Sequence, residues 1–292
     1  MWLKDGGCFR KNWSTALSTI TDFKSNPRKY TCLGYTGSYN DWRLPNVNEL
    51  ESLVNYGTSD TSKWLNTKGF VNMKSSSYWS STTYQSGTTQ AWIISMNNGA
   101  GSMSGKYNTV YFLPVRDVVP GNPQELAKTG QTMSYAQGDD GSIHAGADWP
   151  TPRLTDNGDG TATDNLTGLM WLKDGGCFRK SWSTIFNTIK DFNSNPEFYN
   201  CLGYAARYTD WRLPNVKELE SLVNYGVADS AIWLNSQGFV NTKSSSYWAS
   251  TTYQGSTNQA WMVDMQRAKK SFMGKSYTYY GWPVRGGAVG GN

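Results

Sequence analysis

MWLKDGGCFRK at residues 1–11 returns letter for letter at 170–180, and DWRLPNV at 41–47 returns at 210–216. ELESLVNYG, KSSSYW, STTYQ and PVR follow in the same order in both places. No insertion or deletion intervenes, so every position n from Met1 to Arg116 has its counterpart at n + 169. Self-similarity decides architecture before any local pattern does. Two copies of this length are too few and too long for a solenoid. The chain therefore reads as two homologous globular domains, 1–116 and 154–292, joined by a connector at 117–153. Where the copies agree, the fold needs the residue; where they differ, the fold tolerates change and a ligand has room to act.

A chain of 292 residues is expected to hold about two domains. Charged residues make up 17% and aromatics 14%, with 14 Trp and 18 Tyr. With abundant Gly, Ser, Thr and Asn, this is the composition of a turn-rich, β-containing protein that works outside the cell or on its surface. No apolar run reaches the ~18 residues of a membrane helix, so membrane insertion is not expected. MWLKDGGCF has no apolar secretion core. A net charge of +5 without a basic stripe gives no reason to expect nucleic acid.

The four cysteines form two equivalent pairs, Cys8/Cys32 and Cys177/Cys201. An even count at one spacing reads as a disulfide in each domain, worth about 3 kcal/mol in the chain-entropy picture. Buried free thiols in a reducing compartment are the rival reading. Two Cys and no His per copy are too few for zinc, so no metal or other cofactor is expected.

Helical spacing follows Asn12 (Trp13, Leu17, Ile20, Phe23) and Ser181 (Trp182, Phe186, Ile189, Phe192), both good N-caps. Pro27 and Pro196 help to end these helices. Asn46 with Glu49, and Asn215 with Glu218, form capping boxes for a second helix, with Val47, Leu50, Leu53 and Val54 as its apolar face and Gly57 as its stop. Strands are expected at Tyr78–Tyr84, Gln90–Met96 and Thr109–Arg116, separated by QSGT and NNGAG turns. Each domain is thus α+β: helix, helix, then antiparallel sheet. Leu154–Asn165 reads as a hairpin about Asn157-Gly158-Asp159-Gly160 that runs into Met170. Copy one shows nothing of the kind before Met1. Either the sequence starts inside that domain, or a neighbouring subunit donates the strand.

The run TDNGDGTATDNLTGLMWLKDGGCF, followed by DWRLPNVKELESLV, SSSYWASTTY, AW, GK and PVR, resembles the Lcl C-terminal domain family. The resemblance covers copy two and all of copy one except the hairpin. It implies a C-type lectin-like fold: two helices flanking a twisted antiparallel sheet, with the GLMW strand paired to the WPVR strand. It also implies a secreted or surface-displayed bacterial protein. The named member is an adhesin that trimerises and binds sulfated polysaccharide; a fold alone does not transfer that ligand.

Catalysis has little support. His144, the sole histidine, lies in the connector, so a nucleophilic triad lacks its usual base. Glu49 and Glu51 fall on different sides of their helix. The lectin-type calcium motifs are absent, and a hairpin turn accounts for Asp156, Asp159 and Asp164. Trp42, Trp79, Trp92, Trp211, Trp248 and Trp261 recur in both copies and read as core. The divergent stretch is more informative. Copy two places Arg267, Lys269, Lys270 and Lys275 near Tyr277, Tyr279, Tyr280 and Trp282, where copy one has Asn97, Asn98, Tyr107 and Tyr111. Cations beside rings suit an anionic polysaccharide; an ordinary tolerant surface loop is the plain alternative. The expected role is non-enzymatic binding or adhesion at the cell surface. The alternative is a structural subunit of an extracellular filament or layer, with self-association as a trimer or filament.

Overall fold

In the computed structural model, which describes residues 1–117 and 126–286, Asn12 caps helix α1 (Trp13–Ser25) by accepting from the Thr15 amide at 2.9 Å. The predicted apolar face, with Ala16 added, is buried. The capping box at α2 (Val47–Ser52) is present in both directions between Asn46 and Glu49. This helix stops at Leu53, short of Gly57. A third helix, α3 (Thr61–Asn66), then starts from an Asp60 cap that the sequence pattern did not reveal.

The sheet of the first domain is built from β1 (Phe9–Lys11), β2 (Ser77–Thr83), β3 (Gln90–Ser95), β4 (Gly101–Gly105) and β5 (Val110–Phe112), in the order β1-β5-β2-β3-β4. It is not wholly antiparallel: β5 meets β2 in parallel, at Tyr78 and Tyr111. β1 and β4 were not expected. The predicted last strand is divided: β5 ends at Phe112, and Val115 forms separate bridges to Trp2 and Arg43. Trp42, Trp79 and Trp92 are core, as expected.

The cysteines form the disulfides Cys8–Cys32 and Cys177–Cys201. A buried aspartate organises each disulfide loop. Asp5 accepts from the amides of Gly7 and Leu33 and from Asn72 Nδ2, at 3.0, 2.8 and 2.9 Å. Asp174 repeats this with Gly176, Leu202 and Asn241. Three charge-assisted bonds offset the cost of burying the carboxylate.

The connector departs from expectation. The compact units divide at Asp148/Trp149, so most of residues 117–153 is not a free-standing linker. Residues 126–148 form a strap folded onto the first domain, including the single turn α4 (Asp140–Ile143) capped by Asp139. Asp140 is buried and receives the hydroxyls of Thr82 and Thr129, both at 2.7 Å. Gln131 bonds both sides of the Thr83 backbone, and Asn46 and Asn48 reach the carbonyls of Ala145 and Ala127. Side-chain amides here take the place of a neighbouring strand.

Burial lifts the Asp140 carboxyl to about 6, with Glu49 and Asp139 adding to the effect and the two threonine hydroxyls opposing it. The raised folded-state value means that its contribution is fully present below the unfolded value and is lost as pH rises through about 6. Amide exchange in 126–148 should therefore speed up between pH 4 and 7, by a loss of protection on the order of 2 kcal/mol. Asp140→Asn, whose amide oxygen still accepts from both hydroxyls, should flatten that profile. A wild-type profile no steeper than the variant's would refute this account.

The second domain opens with the predicted hairpin. β6 (Leu154–Asp156) and β7 (Thr161–Asp164) pair antiparallel, β7 continues to β8 (Met170–Leu172), and β8 pairs with β14 (Val284–Arg285) with Trp171 opposite Val284. The turn needs Gly160, because at its φ of +82° an added Cβ would sit 2.3 Å from the Tyr204 Cα. The hairpin carboxylates have structural partners: Asp156 pairs with Lys173, Asp159 holds Thr161, and Asp164 is buried against Arg153. β9 (Phe178–Ser181), β10 (Ser246–Thr252), β11 (Gln259–Asp264), β12 (Lys269–Gly274) and β13 (Thr278–Gly281) repeat the larger sheet. α5 (Trp182–Ser194), α6 (Val216–Glu220) and α7 (Ser230–Ser236) repeat the helices. Ser181 starts α5 without accepting a backbone bond; its Oγ meets Thr184 Oγ1 at 2.8 Å.

Candidate functional site

The divergent stretch does not form one basic–aromatic cluster. Trp282 is core: its Nε1 donates to the Leu172 carbonyl at 2.7 Å, and its ring packs on Trp171, Phe239 and Tyr247. Lys270 is 1% exposed, with Nζ 3.3 Å from Glu220. Neither side chain is placed to meet a surface ligand. Arg267 and Lys269 sit at the start of β12 beside Asp264, which pairs with Arg267 and faces Lys269 in register. Lys275 and Tyr277 follow the far end of that strand, roughly 17–20 Å away at about 3.3 Å per residue. Lys275 lies 3.9 Å over the Trp182 ring and donates to Thr252 Oγ1 at 2.9 Å. Tyr277 is exposed, and Tyr279 packs edge-on to Trp248. In copy one, Asn97 is exposed, Asn98 shapes the β3–β4 turn through the Ala100 amide, and Tyr107 is 82% exposed.

The structure instead assembles exposed cations and tyrosines on the β1 and β9 edges. Arg10 faces Tyr111 in register, and its guanidinium lies 5.5 Å from the ring centroid; Lys11 follows it. In copy two, Arg179 faces Tyr280 at 5.8 Å, and Lys180 faces Tyr279. All four cations are exposed, and among the described residues none of them forms a salt bridge. Their identity between copies marks them as something the fold keeps, and comparison of divergent positions passed over them. The signal was the pair of adjacent basic residues at the end of the shared CFRK motif.

The family model of the Lcl C-terminal domain matches residues 1–116 and again 160–285. The chain belongs to the Lcl C-terminal domain family. It carries two copies of this domain, and the chain matches no curated protein significantly. Each Lcl C-terminal domain presents its own cation–tyrosine edge. Such an edge suits a ligand that brings sulfate or carboxylate groups alongside sugar rings, because the cations bind the anions while the tyrosine faces take apolar ring faces. Among the described residues, no group of three His, Cys, Asp or Glu side chains gathers as metal ligands.

Proposed function

We propose that the protein is an extracellular, non-enzymatic binding and adhesion protein. It recognises an anionic surface polysaccharide through the β1 edge of the first domain and the β9 edge of the second. The observation that carries this reading is the recurrence in both domains of two adjacent exposed cations, the arginine of each pair lying beside a tyrosine ring. We read each domain as C-type lectin-like. Its helices accompany a mixed sheet, and the strand that opens the repeated unit lies beside the last strand, as β8 and β14 do. Family membership, the two disulfides, and the fact that no described helix is long and apolar enough to cross a membrane fit a secreted or surface protein.

Replacing Arg10, Lys11, Arg179 and Lys180 with serine should lower affinity for a sulfated polysaccharide at least about tenfold, given ~1.5–3 kcal/mol per charged hydrogen bond. Arg267→Ala with Lys269→Ala should have little effect. Retention on immobilised sulfated polysaccharide across a salt gradient reads both variants, with circular dichroism as the folding control. Unchanged retention of the fourfold variant would rule out the edges.

A further inference from the structure

The seat that the strap fills on the first domain has a counterpart on the second, made from the same residue types. Thr82 donates to Asp140 at 2.7 Å, and the Gln131 amide meets the Thr83 N–H and carbonyl at 3.0 and 2.9 Å. Asn46 donates to the Ala145 carbonyl at 3.1 Å. Their counterparts are Thr251, Thr252 and Asn215. The first three groups are buried, whereas Asn215 is exposed and both threonines are half-buried. Lys275 keeps the same perch over Trp182 that Lys106 keeps over Trp13, but only Lys106 has a strap ring, Tyr135, at 5.3 Å.

The topology explains why the seat needs an occupant. Among the described residues β13 meets β10 only at Tyr280 and Tyr247, and no strand lies beside Thr252 on that edge. Its backbone offers a donor and an acceptor together, which a primary amide satisfies and a sulfate does not. One contact differs: Asn48, which donates to the Ala127 carbonyl, is replaced by Lys217, also a donor.

We propose that the open seat on the second domain receives a strap in trans: a polypeptide segment with the chemistry of residues 126–148, presenting a carboxylate to Thr251 and a primary amide to the Thr252 backbone. This docking turns the second domain into the acceptor of a protein partner. It uses residues distinct from the polysaccharide edges and stands without them.

A synthetic peptide of residues 126–148 titrated onto the full chain tests this directly, because the chain's own strap fills the first seat. Calorimetry should show saturable one-to-one binding. Asp140→Ala or Gln131→Ala in the peptide should each weaken it about tenfold, the scale of one lost buried hydrogen bond. Thr251→Val in the protein should do the same, and the peptide variants keep the test valid if that protein variant folds poorly. Absence of binding, or binding indifferent to both peptide substitutions, overturns the proposal. So does a sulfated oligosaccharide that depends on Thr251 and Lys275 where the peptide does not bind.

Discussion

Asp164→Ala is expected to remove about 3–5 kcal/mol from the second domain and to leave the first domain's transition in place. The Arg153 guanidinium is buried against Asp164, which is fully buried, with Nε and Nη2 at 2.6 and 3.0 Å. Nη2 also donates to the Ser221 carbonyl, and the guanidinium lies over Trp149. Asp164 in turn holds the Leu166 amide and the Thr167 hydroxyl. Truncation therefore leaves a buried cation without its anion and loosens the β7–β8 turn. The cost comes from the stranded charge, so replacing Arg153 with Met and Asp164 with Leu together should recover most of the loss. Denaturant unfolding of the two variants decides the matter. A double variant no more stable than Asp164→Ala would mean that the pair contributes through its own attraction.

Lys270→Ala is expected to cost the second domain about 2–4 kcal/mol at neutral pH and much less at pH 5. Burial raises the Glu220 carboxyl above its ordinary range and pulls Lys270 below its own. Without the lysine, Glu220 keeps the Tyr225 hydroxyl at 3.1 Å. Its raised folded-state value makes its contribution present in acid and lost as pH rises through that value. The penalty should therefore grow with pH. The first domain does without the lysine at this site: Gly101 stands in its place, and Tyr56 donates to Glu51 at 3.1 Å. Lys270→Met combined with Glu220→Gln should remove the pH dependence. Urea midpoints for both variants between pH 5 and 8 are the check; a pH-independent penalty for Lys270→Ala would contradict this account.

Much of the architecture is legible in the chain because its signals are local. Asn46 with Glu49 marks a helix start within four residues, and the Asn157–Gly160 turn announces its hairpin. The paired cysteines show their equivalence through the repeat. Other features depend on contacts distant in sequence. α3 has only six residues, and β4 is GSMSG, with too few apolar side chains to show a period of two. Lys270 looks like part of a solvated Lys-Lys pair. On a strand, however, neighbours point to opposite faces, and its partner in register is buried Val263. Alternation counted along β12 would have turned one lysine inward. Nothing local shows that Gln131 and Asp140 belong against Thr83 and Thr82, about fifty residues earlier. The β1 and β9 edges were hidden for another reason: residues shared by both copies read as scaffold, although a duplicated binding edge is also shared.

The strap gives synthesis an order. A chain emerging from its N-terminus completes β5 at Phe112, but the cover over Thr82 and Thr83 begins with Gln131 and is complete only when Ala145 is out. Until then, the nascent first domain holds its helices and sheet with one flank open to water and to neighbouring chains. Domains generally fold as units during synthesis, N-terminal first. Here the unit that folds runs past the unit that is repeated. A pause in translation after residue 117 has left the ribosome and before residue 145 has done so would hold the first domain in its most exposed, aggregation-prone form.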